Sequence, residues 1–424
     1  MSDKIRIGLA GLGTVGATVA ARLLQGAVPH AELVAVSARD ANKQRGVDLS
    51  AADFVADPQE LVSHHNVDVV VELIGGENGV ALSLVEAALK KGKPVVTANK
   101  AMLAAHAAPL SELSVGGNVP LAFEAAVAGG IPVIKTVREG LAGNDIHRLC
   151  GILNGTCNYI LSRMEVAGLS FDDALKEAQE KGFAEADPTL DVSGMDAGQK
   201  LAILSALAYG VAPDMDNISV TGIEAIMAAD IAFAAEFDSV IRLVGLAERS
   251  GYGIYHSVEP VLVKRKHPLA QVVNELNAVS ISAMPLGEIM LQGPGAGGGA
   301  TASAVLADVS DIASGFGRPL FDSTVAAMKE SASKNAPASE FYIRLALADQ
   351  PGSMAKATQI LAENGVSIEE VVQRSSEAGD SHLPVVFITH QTEKAALTSA
   401  LSALEQQSEI CNSVLALPVF VDEV

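Results

Sequence analysis

The chain has 424 residues, 49% of them hydrophobic and 19% charged, which is enough for roughly two to four domains with well-filled cores. Its net charge of −21 argues against a nucleic-acid partner, because phosphate binding needs a basic surface, and no uninterrupted apolar run is long enough to span a membrane. Three cysteines and an N-terminus without a signal-peptide pattern lead us to expect the reducing cytoplasm and no disulfide framework.

The chain opens with a predicted strand, turn, helix and second strand. Residues 4–10 are an apolar strand, "GLGTVG" at 11–16 is a glycine turn that opens a helix, and 31–37 is the second strand. A GxGxxG motif in this context predicts a Rossmann dinucleotide-binding fold. A glycine turn that binds no nucleotide is the alternative.

Each glycine of this motif has a physical reason. Gly11 would permit the tight turn, Gly13 would let backbone approach a pyrophosphate, and Gly16 would let the helix pack on the strand. The free N–H groups of the first helical turn would face the anion. The predicted cofactor contacts in this turn are Gly11, Leu12, Gly13, Thr14, Val15 and Gly16.

The end of the second strand bears on the choice of nucleotide. NAD sites usually place an acidic residue there, whereas this strand ends at Ser37. Arg39, Lys43 and Arg45 follow and could hold a 2′-phosphate, which favours NADP, with Arg39 as the predicted contact. Asp40 keeps NAD open.

Further strands and helices alternate along the middle of the chain. Residues 67–76 and 93–100 are predicted parallel strands separated by a helix. Residues 119–141 contain a strand, a glycine turn and a helix, and 147–164 are a strand leading into a helix for which Thr156 is a candidate N-cap.

The last part of the chain contains a second glycine-rich segment and a further unit. Residues 293–313 are either a flexible linker or a second helix start that faces a cofactor, and the helical run behind the glycines favours the second. Residues 331–340 have the composition of a linker. Behind them, 341–424 has the order β-α-β-β-α-β, which predicts a ferredoxin-like fold.

An acidic segment, "GFAEADPTLDVSGMDAGQK" at 182–200, contains four carboxylates and ends on a lysine. It is either a solvated loop before a helix or a pocket for a small substrate that carries an ammonium and a hydroxyl. Asp196 and Lys200 are four residues apart, so on a helix they would share one face. Asp187 precedes a proline and is expected to be a turn residue.

These motifs together resemble the homoserine dehydrogenase family, in its long form with a C-terminal ACT domain. The resemblance covers nearly the whole chain and rests on "GLGTVG", "TANKAML", "EAAVAGGIPVIK", "NGTCNYIL", "GFAEADPTLDVSGMDAGQKL" and "GAGGGATASAV". It implies reversible, NAD(P)-dependent interconversion of L-homoserine and L-aspartate 4-semialdehyde, on the route to threonine, methionine and isoleucine.

The resemblance also implies three domains. Residues 1–130 would be a Rossmann domain, completed by a returning helix near 300–325. Residues 131–330 would be an α+β catalytic and dimerisation domain, and 341–424 a ferredoxin-like ACT regulatory domain.

The catalytic roles it implies fall on the acidic segment and on "TANK". Glu185 and Asp196 would hold homoserine, and Lys200 would take or return the hydroxyl proton. Lys100 would lie beside the nicotinamide and steady the reacting oxygen; its ammonium would also help Lys200 to act as a base. Asp191 would either orient one of these lysines or satisfy backbone N–H groups.

Further contacts follow from the same resemblance. Other cofactor contacts would be Thr97, Lys100, Gly182 and Gly297. The family often has a proline where this chain has Ala300, which puts the contact at Gly297 in doubt. "EAAVAGGI" matches a site for sodium or another monovalent cation, whose ligands would be the Glu124 carboxylate and the carbonyls of Val127, Gly129 and Ile131.

ACT modules commonly pair across subunits and bind an amino acid, so we expect a homodimer or homotetramer with threonine as the leading effector. An oligomerisation domain without a ligand is the alternative. Two other functions compete: a dehydrogenase for another small amino or hydroxy acid, and a non-catalytic amino-acid sensor. The joint presence of Lys100, Glu185, Asp196 and Lys200 argues against the sensor.

Overall fold

The structure is a computed structural model that describes residues 4–41, 43–330, 332–374, 382–410 and 414–421. The strands are β1 (Ile5–Ala10), β2 (Ala31–Ser37), β3 (Asp53–Val55), β4 (Val69–Glu72), β5 (Val95–Thr97), β6 (Leu121–Ala122), β7 (Asp145–Ile152), β8 (Ser219–Val220), β9 (Ser239–Ser250), β10 (Gly253–Lys264), β11 (Leu276–Met284), β12 (Gly287–Pro294), β13 (Ala332–Ser333), β14 (Phe341–Ala348), β15 (Ile368–Gln373), β16 (His382–Thr389) and β17 (Leu415–Phe420).

The α-helices are α1 (Thr14–Leu24), α2 (Glu60–Ser63), α3 (Val80–Lys90), α4 (Lys100–Ala105), α5 (Ala107–Gly116), α6 (Val133–Lys135), α7 (Gly155–Ala167), α8 (Phe171–Glu180), α9 (Thr189–Val192), α10 (Met195–Tyr209), α11 (Ala228–Glu236), α12 (Gly298–Ala313), α13 (Ser353–Glu363) and α14 (Lys394–Glu405). Short 3₁₀ turns lie at Glu124–Ala126, Met215–Asn217, Pro268–Gln271 and Val325–Ala327, and a π turn at Thr136–Gly140. None of the described helices has the length and apolarity needed to cross a bilayer.

The first six strands form a parallel sheet in the order β3-β2-β1-β4-β5-β6. This is the strand order of dinucleotide-binding folds, which confirms the predicted Rossmann fold. One face of the sheet packs against α1 and α12, and the other against α2 and α3. Because both faces are covered, the strands are almost continuously apolar.

Helix α12 returns to this sheet from far along the chain. The sequence predicts such a helix near 300–325, and the structure places it at Gly298–Ala313, beside α1. Ala302, Val305 and Val309 bury its apolar side in the same core as α1. The two glycine-rich segments therefore meet at one end of the sheet.

A second, mixed sheet carries the catalytic domain. Strands β12, β11, β7, β9 and β10 pair antiparallel in that order, and α7 and α10 cover one face. This sheet continues beyond β10, because β17 pairs parallel with it through Leu262↔Val419 and Val263↔Phe420.

The C-terminal unit has strand order β17-β14-β16-β15, with α13 and α14 on one face. The predicted ferredoxin-like fold is confirmed. The linker prediction for 331–340 is only partly right, because Ala332 and Ser333 form β13 and pair with Ile254 and Tyr255 of β10.

Candidate active site

The glycine turn after β1 is tightly built. Gly11 has φ +96°, and a Cβ there would lie 2.3 Å from the Leu73 carbonyl oxygen. A Cβ at Gly16 would lie 1.9 Å from the carbonyl oxygen of Gly11, so Gly16 packs on the turn itself and not on the strand. Gly13 has open space around it, where a Cβ would meet nothing within 4 Å.

The turn's other neighbours come from α12 and from the segment after β2. A Cβ at Gly298 would lie 2.8 Å from Thr14 Cγ2, so the starts of α1 and α12 touch. Gly297, just before α12, has φ +104° and open space, and Ala300 lies in the first turn of α12. Leu12 and Val15 complete the turn, and both lie against the α1–α12 core.

The two arginines after β2 differ in their contacts. Arg39 is exposed. Arg45 donates from Nε to the carbonyl of Leu12 at 3.3 Å and from Nη1 to that of Lys43 at 2.7 Å. The guanidinium of Arg45 thus folds over the glycine turn, beside the end of β2.

A buried carboxylate that the sequence analysis missed organises the ends of β4 and β5. Glu72 is fully buried and accepts hydrogen bonds from the N–H groups of Ile74 and Gly75 and from the Thr97 hydroxyl, at 2.7, 3.0 and 2.6 Å. Thr97 is also fully buried, and its hydroxyl accepts from the N–H of Asn99.

This network leads directly to Lys100. Asn99 caps α4 by accepting from the N–H of Met102, and it donates to the carbonyl of Gly76 at 2.7 Å. Lys100 is the first residue of α4, so its position depends on Thr97 and Asn99. The end of β5, where the nicotinamide is expected to bind, therefore also fixes the position of Lys100.

The acidic segment supplies the partners of Lys100. Asp196, in the first turn of α10, lies between two ammonium groups: Lys100 Nζ is 3.2 Å from Oδ1 and Lys200 Nζ is 2.7 Å from Oδ2. Lys200 also donates to the carbonyl of Leu153 at 2.7 Å. The predicted helical face shared by Asp196 and Lys200 is present, and both residues are buried.

Asn154 completes this cluster. Its amide nitrogen donates to Asp191 Oδ1 at 2.7 Å and to Asp196 Oδ2 at 2.8 Å, while its oxygen accepts from the N–H of Cys157. The cap of α7 is thus Asn154, and the expectation for Thr156 is wrong: the Thr156 hydroxyl donates to the carbonyl of Phe183.

The two buried carboxylates differ electrostatically. Burial alone would raise the pKa of Asp196, but the ammonium groups of Lys200 and Lys100 and the bond from Asn154 outweigh it and lower the pKa to about 2. Burial raises the pKa of Asp191, and the neighbouring charge of Asp196 adds to this rise. Asp196 is therefore held as an anion between two cations.

Other predicted residues of the acidic segment lie outside this cluster. Glu185 is exposed, and no hydrogen bond or ion pair joins its carboxylate to Lys100, Asp196 or Lys200 within the described chain. Gly182 is exposed with φ +77°. Asp187 is the expected turn residue, since it accepts from the N–H and hydroxyl of Thr189.

The predicted cation ligands lie where the Rossmann domain passes into the catalytic domain. Glu124 is buried; its two carboxylate oxygens accept from the N–H groups of Ile134 and Lys135, and burial raises its pKa. The carbonyl of Ile131 accepts from the N–H of Val133. The chain turns sharply between Val127, which is buried, and Gly129, whose φ is +46°.

Comparisons with known proteins agree with this arrangement. The family models for homoserine dehydrogenase, for its NAD-binding domain and for the ACT domain match residues 132–310, 11–124 and 341–409. A homoserine dehydrogenase of Neisseria gonorrhoeae is 40% identical over 420 residues, 95% of each chain. The chain belongs to the homoserine dehydrogenase family.

Solved structures of homoserine dehydrogenases support the same assignment. One from Thiobacillus denitrificans matches with a TM-score of 0.91 and 35% identity, over 99% of this chain and 98% of that chain. A hyperthermophilic archaeal homoserine dehydrogenase in complex with NADPH matches with a TM-score of 0.64 and 28% identity, over 74% of this chain and 99% of that chain.

The predicted family, fold class and enzyme class are therefore confirmed. The chain is an oxidoreductase of amino-acid biosynthesis that acts on L-homoserine or L-aspartate 4-semialdehyde with a nicotinamide dinucleotide. It carries an NAD(P)-binding domain, a catalytic domain and an ACT domain. The non-catalytic sensor is not favoured.

Proposed function

We propose that this homoserine dehydrogenase moves the substrate proton through Lys200, with Asp196 and Lys100 as its electrostatic partners. The observation that carries the proposal is the row Lys100–Asp196–Lys200, with contacts of 3.2 and 2.7 Å and with Asp196 and Lys200 buried. The row reaches from the end of β5 in the Rossmann domain to α10 in the catalytic domain. It thus joins the cofactor side of the site to the substrate side.

The proton step follows from the donors of Lys200. Its ammonium has three N–H groups. One is used on Asp196 and one on the carbonyl of Leu153, which leaves a third for the substrate oxygen. During reduction Lys200 donates this proton to the aldehyde oxygen; during oxidation the neutral amine takes the proton of the homoserine hydroxyl. The nicotinamide supplies the hydride transfer.

Lys100 and the remaining carboxylates stabilise charge on the reacting oxygen and position the substrate. Lys100 is about one-third exposed, so its ammonium can face the reacting oxygen and stabilise charge that develops there. We assign the homoserine ammonium to Asp196 and to Glu185, whose exposed carboxylate is free to fold onto a bound substrate. Asp191 acts through Asn154, as a positioning residue.

We propose NADP as the preferred cofactor, bound by the glycine turn, Thr97, Gly182 and Gly297. The support is the pair of arginines after β2: Arg45 already lies over the turn, and Arg39 is exposed two residues after the strand ends. A guanidinium matches the two-oxygen geometry of a phosphate. With no acidic residue at the end of β2, the contact that favours NAD at this position is missing.

We propose that sodium or another monovalent cation binds Glu124 together with the carbonyls of Val127, Gly129 and Ile131. An oxygen-only donor set with one carboxylate suits a hard cation. Each carboxylate oxygen of Glu124 accepts one backbone N–H and keeps a second lone pair. A nearby cation would offset the cost of burying this charge.

We further propose that the ACT domain binds an amino-acid effector, with threonine as the first candidate, and that the enzyme is a homodimer or homotetramer. The two end strands of the large sheet, β12 and β15, each pair on one side only within the described residues, and such edges need partners. The compartment we propose is the reducing cytoplasm, in keeping with Cys150 and Cys157, which form no disulfide within the described residues.

Initial rates of homoserine oxidation test these proposals. They would be measured with NADP⁺ and with NAD⁺, each with and without threonine and sodium. Lys200→Ala should lose turnover by roughly 10²- to 10⁴-fold, the usual contribution of general acid–base catalysis, while NADP⁺ binding stays intact. Lys176→Ala, which removes an exposed lysine of α8, is the matched control and should turn over normally.

The outcomes separate the parts of the proposal. Normal turnover by Lys200→Ala would remove it as the acid/base. Equal rates with both cofactors would contradict the arginine argument, and rates unmoved by threonine or sodium would contradict the effector and cation assignments.

A further inference from the structure

Helix α12 carries two acidic residues that contact the boundary between the Rossmann and catalytic domains. Asp308 is 3% exposed, and its Oδ2 accepts the backbone N–H of Glu124 at 2.8 Å. Asp311, three residues later, forms an ion pair with the ammonium of Lys135. Residues three apart on a helix lie on the same face, so one face of α12 makes both contacts.

These contacts belong to a closed ring of polar contacts, which we call the contact ring. The Glu124 carboxylate accepts the backbone N–H of Lys135 at 3.0 Å, and the Lys135 side chain returns to α12 at Asp311. Asp308 closes the ring at the N–H of Glu124. Each step joins two of three parts of the molecule: α12, the turn after β6, and α6 at the start of the catalytic domain.

The turn after β6 is also held at its other end, by the segment that leads into α12. The N–H of Gly130 donates to the carbonyl of Pro294 at 3.0 Å. A Cβ built on Gly129 would lie 2.5 Å from the carbonyl oxygen of Gly295, so the two backbones touch. Helix α12 and the residues before it therefore hold both ends of the turn at 124–131.

The contact ring connects the cofactor side of the enzyme to the acidic cluster. On one side, the start of α12 touches Thr14 of α1, and its apolar face is buried in the Rossmann core. On the other side, the π turn that follows Lys135 packs on α10, which carries Asp196 and Lys200. The contact ring thus fixes how far the Rossmann core lies from α10.

Hydride transfer depends on this distance. The dinucleotide belongs to the Rossmann domain and the acidic cluster to the catalytic domain, so the reacting atoms must meet across the boundary. They react at a separation of about 3–3.5 Å, and a displacement of about 1 Å costs roughly a hundredfold in rate. A small shift between two domains leaves the contacts within each domain in place.

We propose that Asp308 is a positioning residue for hydride transfer: by holding the N–H of Glu124 to α12, it fixes the placement of the Rossmann domain relative to the catalytic domain. Asp311 has the same role at the second point of the contact ring. The inference rests on the proposed function in one respect, that homoserine binds at the acidic cluster. It needs neither Lys200 as the acid/base nor a cation at Glu124.

Single-turnover oxidation of homoserine by the full-length enzyme, at saturating homoserine and NADP⁺, tests this role. Asp308→Leu keeps a side chain of similar volume on the buried face of α12 but removes the acceptor of the Glu124 N–H. Its hydride-transfer rate should fall by roughly tenfold to a hundredfold, while the Kd for NADP⁺ stays at the wild-type value. Asp308→Asn retains an oxygen acceptor and should restore most of the rate.

Two further variants on α12 complete the series. Ser303→Ala, which changes an exposed residue of the same helix, is the matched control and should react at the wild-type rate. Asp311→Ala should slow the transfer on its own. Combined with Asp308→Leu it should add less than its own effect, because the contact ring is already open.

The outcomes that overturn the inference are distinct. A lower unfolding midpoint for Asp308→Leu with an unchanged transfer rate would make Asp308 structural only. A weaker Kd for NADP⁺ with an unchanged transfer rate would assign it to cofactor binding. If Asp308→Asn is as slow as Asp308→Leu, the contact with the Glu124 N–H does not set the rate. Normal turnover by Asp196→Ala would overturn the proposed homoserine site and this inference with it, whereas a slow Asp196→Ala beside a normal Asp308→Leu would overturn the contact ring alone.

Discussion

At the scale of single residues, Asn154 joins both carboxylates of the acidic cluster to the start of α7. Its amide bonds two carboxylates that would otherwise repel each other, and its oxygen caps α7. Asp191 and Asp196 are thereby held at fixed positions beside Lys200. A polar side chain with both a donor and an acceptor is needed for this double role.

Asn154→Ser separates the two roles. Serine caps helices about as well as asparagine, so stability should change by less than about 1 kcal/mol apart from the lost amide bonds. It has no amide to donate to both carboxylates, so kcat should fall, by up to about a hundredfold if Asp196 shifts by an ångström. The measurement is kcat and KM together with the unfolding free energy. If kcat falls only as far as the loss of folded protein explains, Asn154 acts as a helix cap alone.

His256 predicts a specific dependence of stability on pH. Its pKa is about 4 when folded and 6.5 in the unfolded chain, so the unfolded state binds more protons between these values. Its contribution to stability is present above pH 6.5 and is lost as the pH falls towards 4. Relative to His256→Leu, wild-type unfolding free energy should drop by up to about 1.4 kcal/mol per pH unit in this window. The unfolding free energies of both proteins would be measured by urea unfolding at each pH. The same pH dependence in wild type and His256→Leu would contradict a buried, neutral His256 ring.

The site residues show what a sequence can and cannot predict at this scale. Lys100, Asp196 and Lys200 were identifiable because their motifs are local, and the structure brings them together. Glu72 and Asn154 were missed, because their partners come from other segments and burial is invisible in a chain read alone. The capping signal of Asn154, three residues before the N–H that it accepts, could have been found.

At the scale of elements, the turn between β1 and α1 is shaped by contacts that differ at each glycine. Gly16 packs against the carbonyl of Gly11, whereas Gly13 has open space. We therefore assign Gly16 to the folding of the turn and Gly13 to cofactor binding.

Gly13→Ala and Gly16→Ala form a matched pair. Gly13 has φ −74°, so alanine fits without strain and stability should be unchanged. The added methyl group would occupy the space proposed for the pyrophosphate, and NADP⁺ affinity should fall severalfold. Gly16→Ala places a methyl group onto a carbonyl and should cost about 1–3 kcal/mol of stability. Thermal unfolding with and without NADP⁺ reads both effects. If Gly13→Ala binds NADP⁺ with unchanged affinity, the pyrophosphate does not lie beside Gly13.

The elements also differ in how far the sequence predicted them. The parallel strands β1, β2, β4 and β5 were predicted, since their apolar runs are bounded by glycines and turns. The long hairpin strands from β9 to β12 were not, although they form the floor under α7 and α10. They carry interior charges such as Arg242 and Glu248, which pair with Glu165 on α7 and Arg148 on β7, so their pattern is not simply apolar.

At the scale of the whole molecule, the ACT unit is joined to the catalytic domain by more than a linker. Strand β17 extends the catalytic sheet, and the ACT face opposite α13 and α14 packs on α11. The composition of residues 331–340 indicated a linker, yet pairing across distant segments makes one sheet and one core. Local composition carries no information about such pairing.

A buried ion pair fastens this junction and gives the sharpest test of it. Asp230 on α11 is fully buried and accepts from Arg344 Nε at 2.6 Å and from the Tyr342 hydroxyl at 2.8 Å, both on β14. Asp230→Ala would leave Arg344 buried without a counter-charge, at a cost of about 3–5 kcal/mol. Glu236→Ala, which removes the exposed partner of Arg374 on the same helix, should cost about 1 kcal/mol or less.

The cost should fall on the junction and not on the catalytic core. We therefore expect Asp230→Ala to split chemical unfolding into two transitions, with the ACT unit released first and cut by protease at the segment after β13. Replacing both partners, as Asp230→Leu with Arg344→Met, removes the unpaired charge and should restore a single transition. If Asp230→Ala unfolds in one step at the wild-type midpoint, the shared sheet alone holds the two domains together, and an effector on the ACT domain would have to act through β17 and β10.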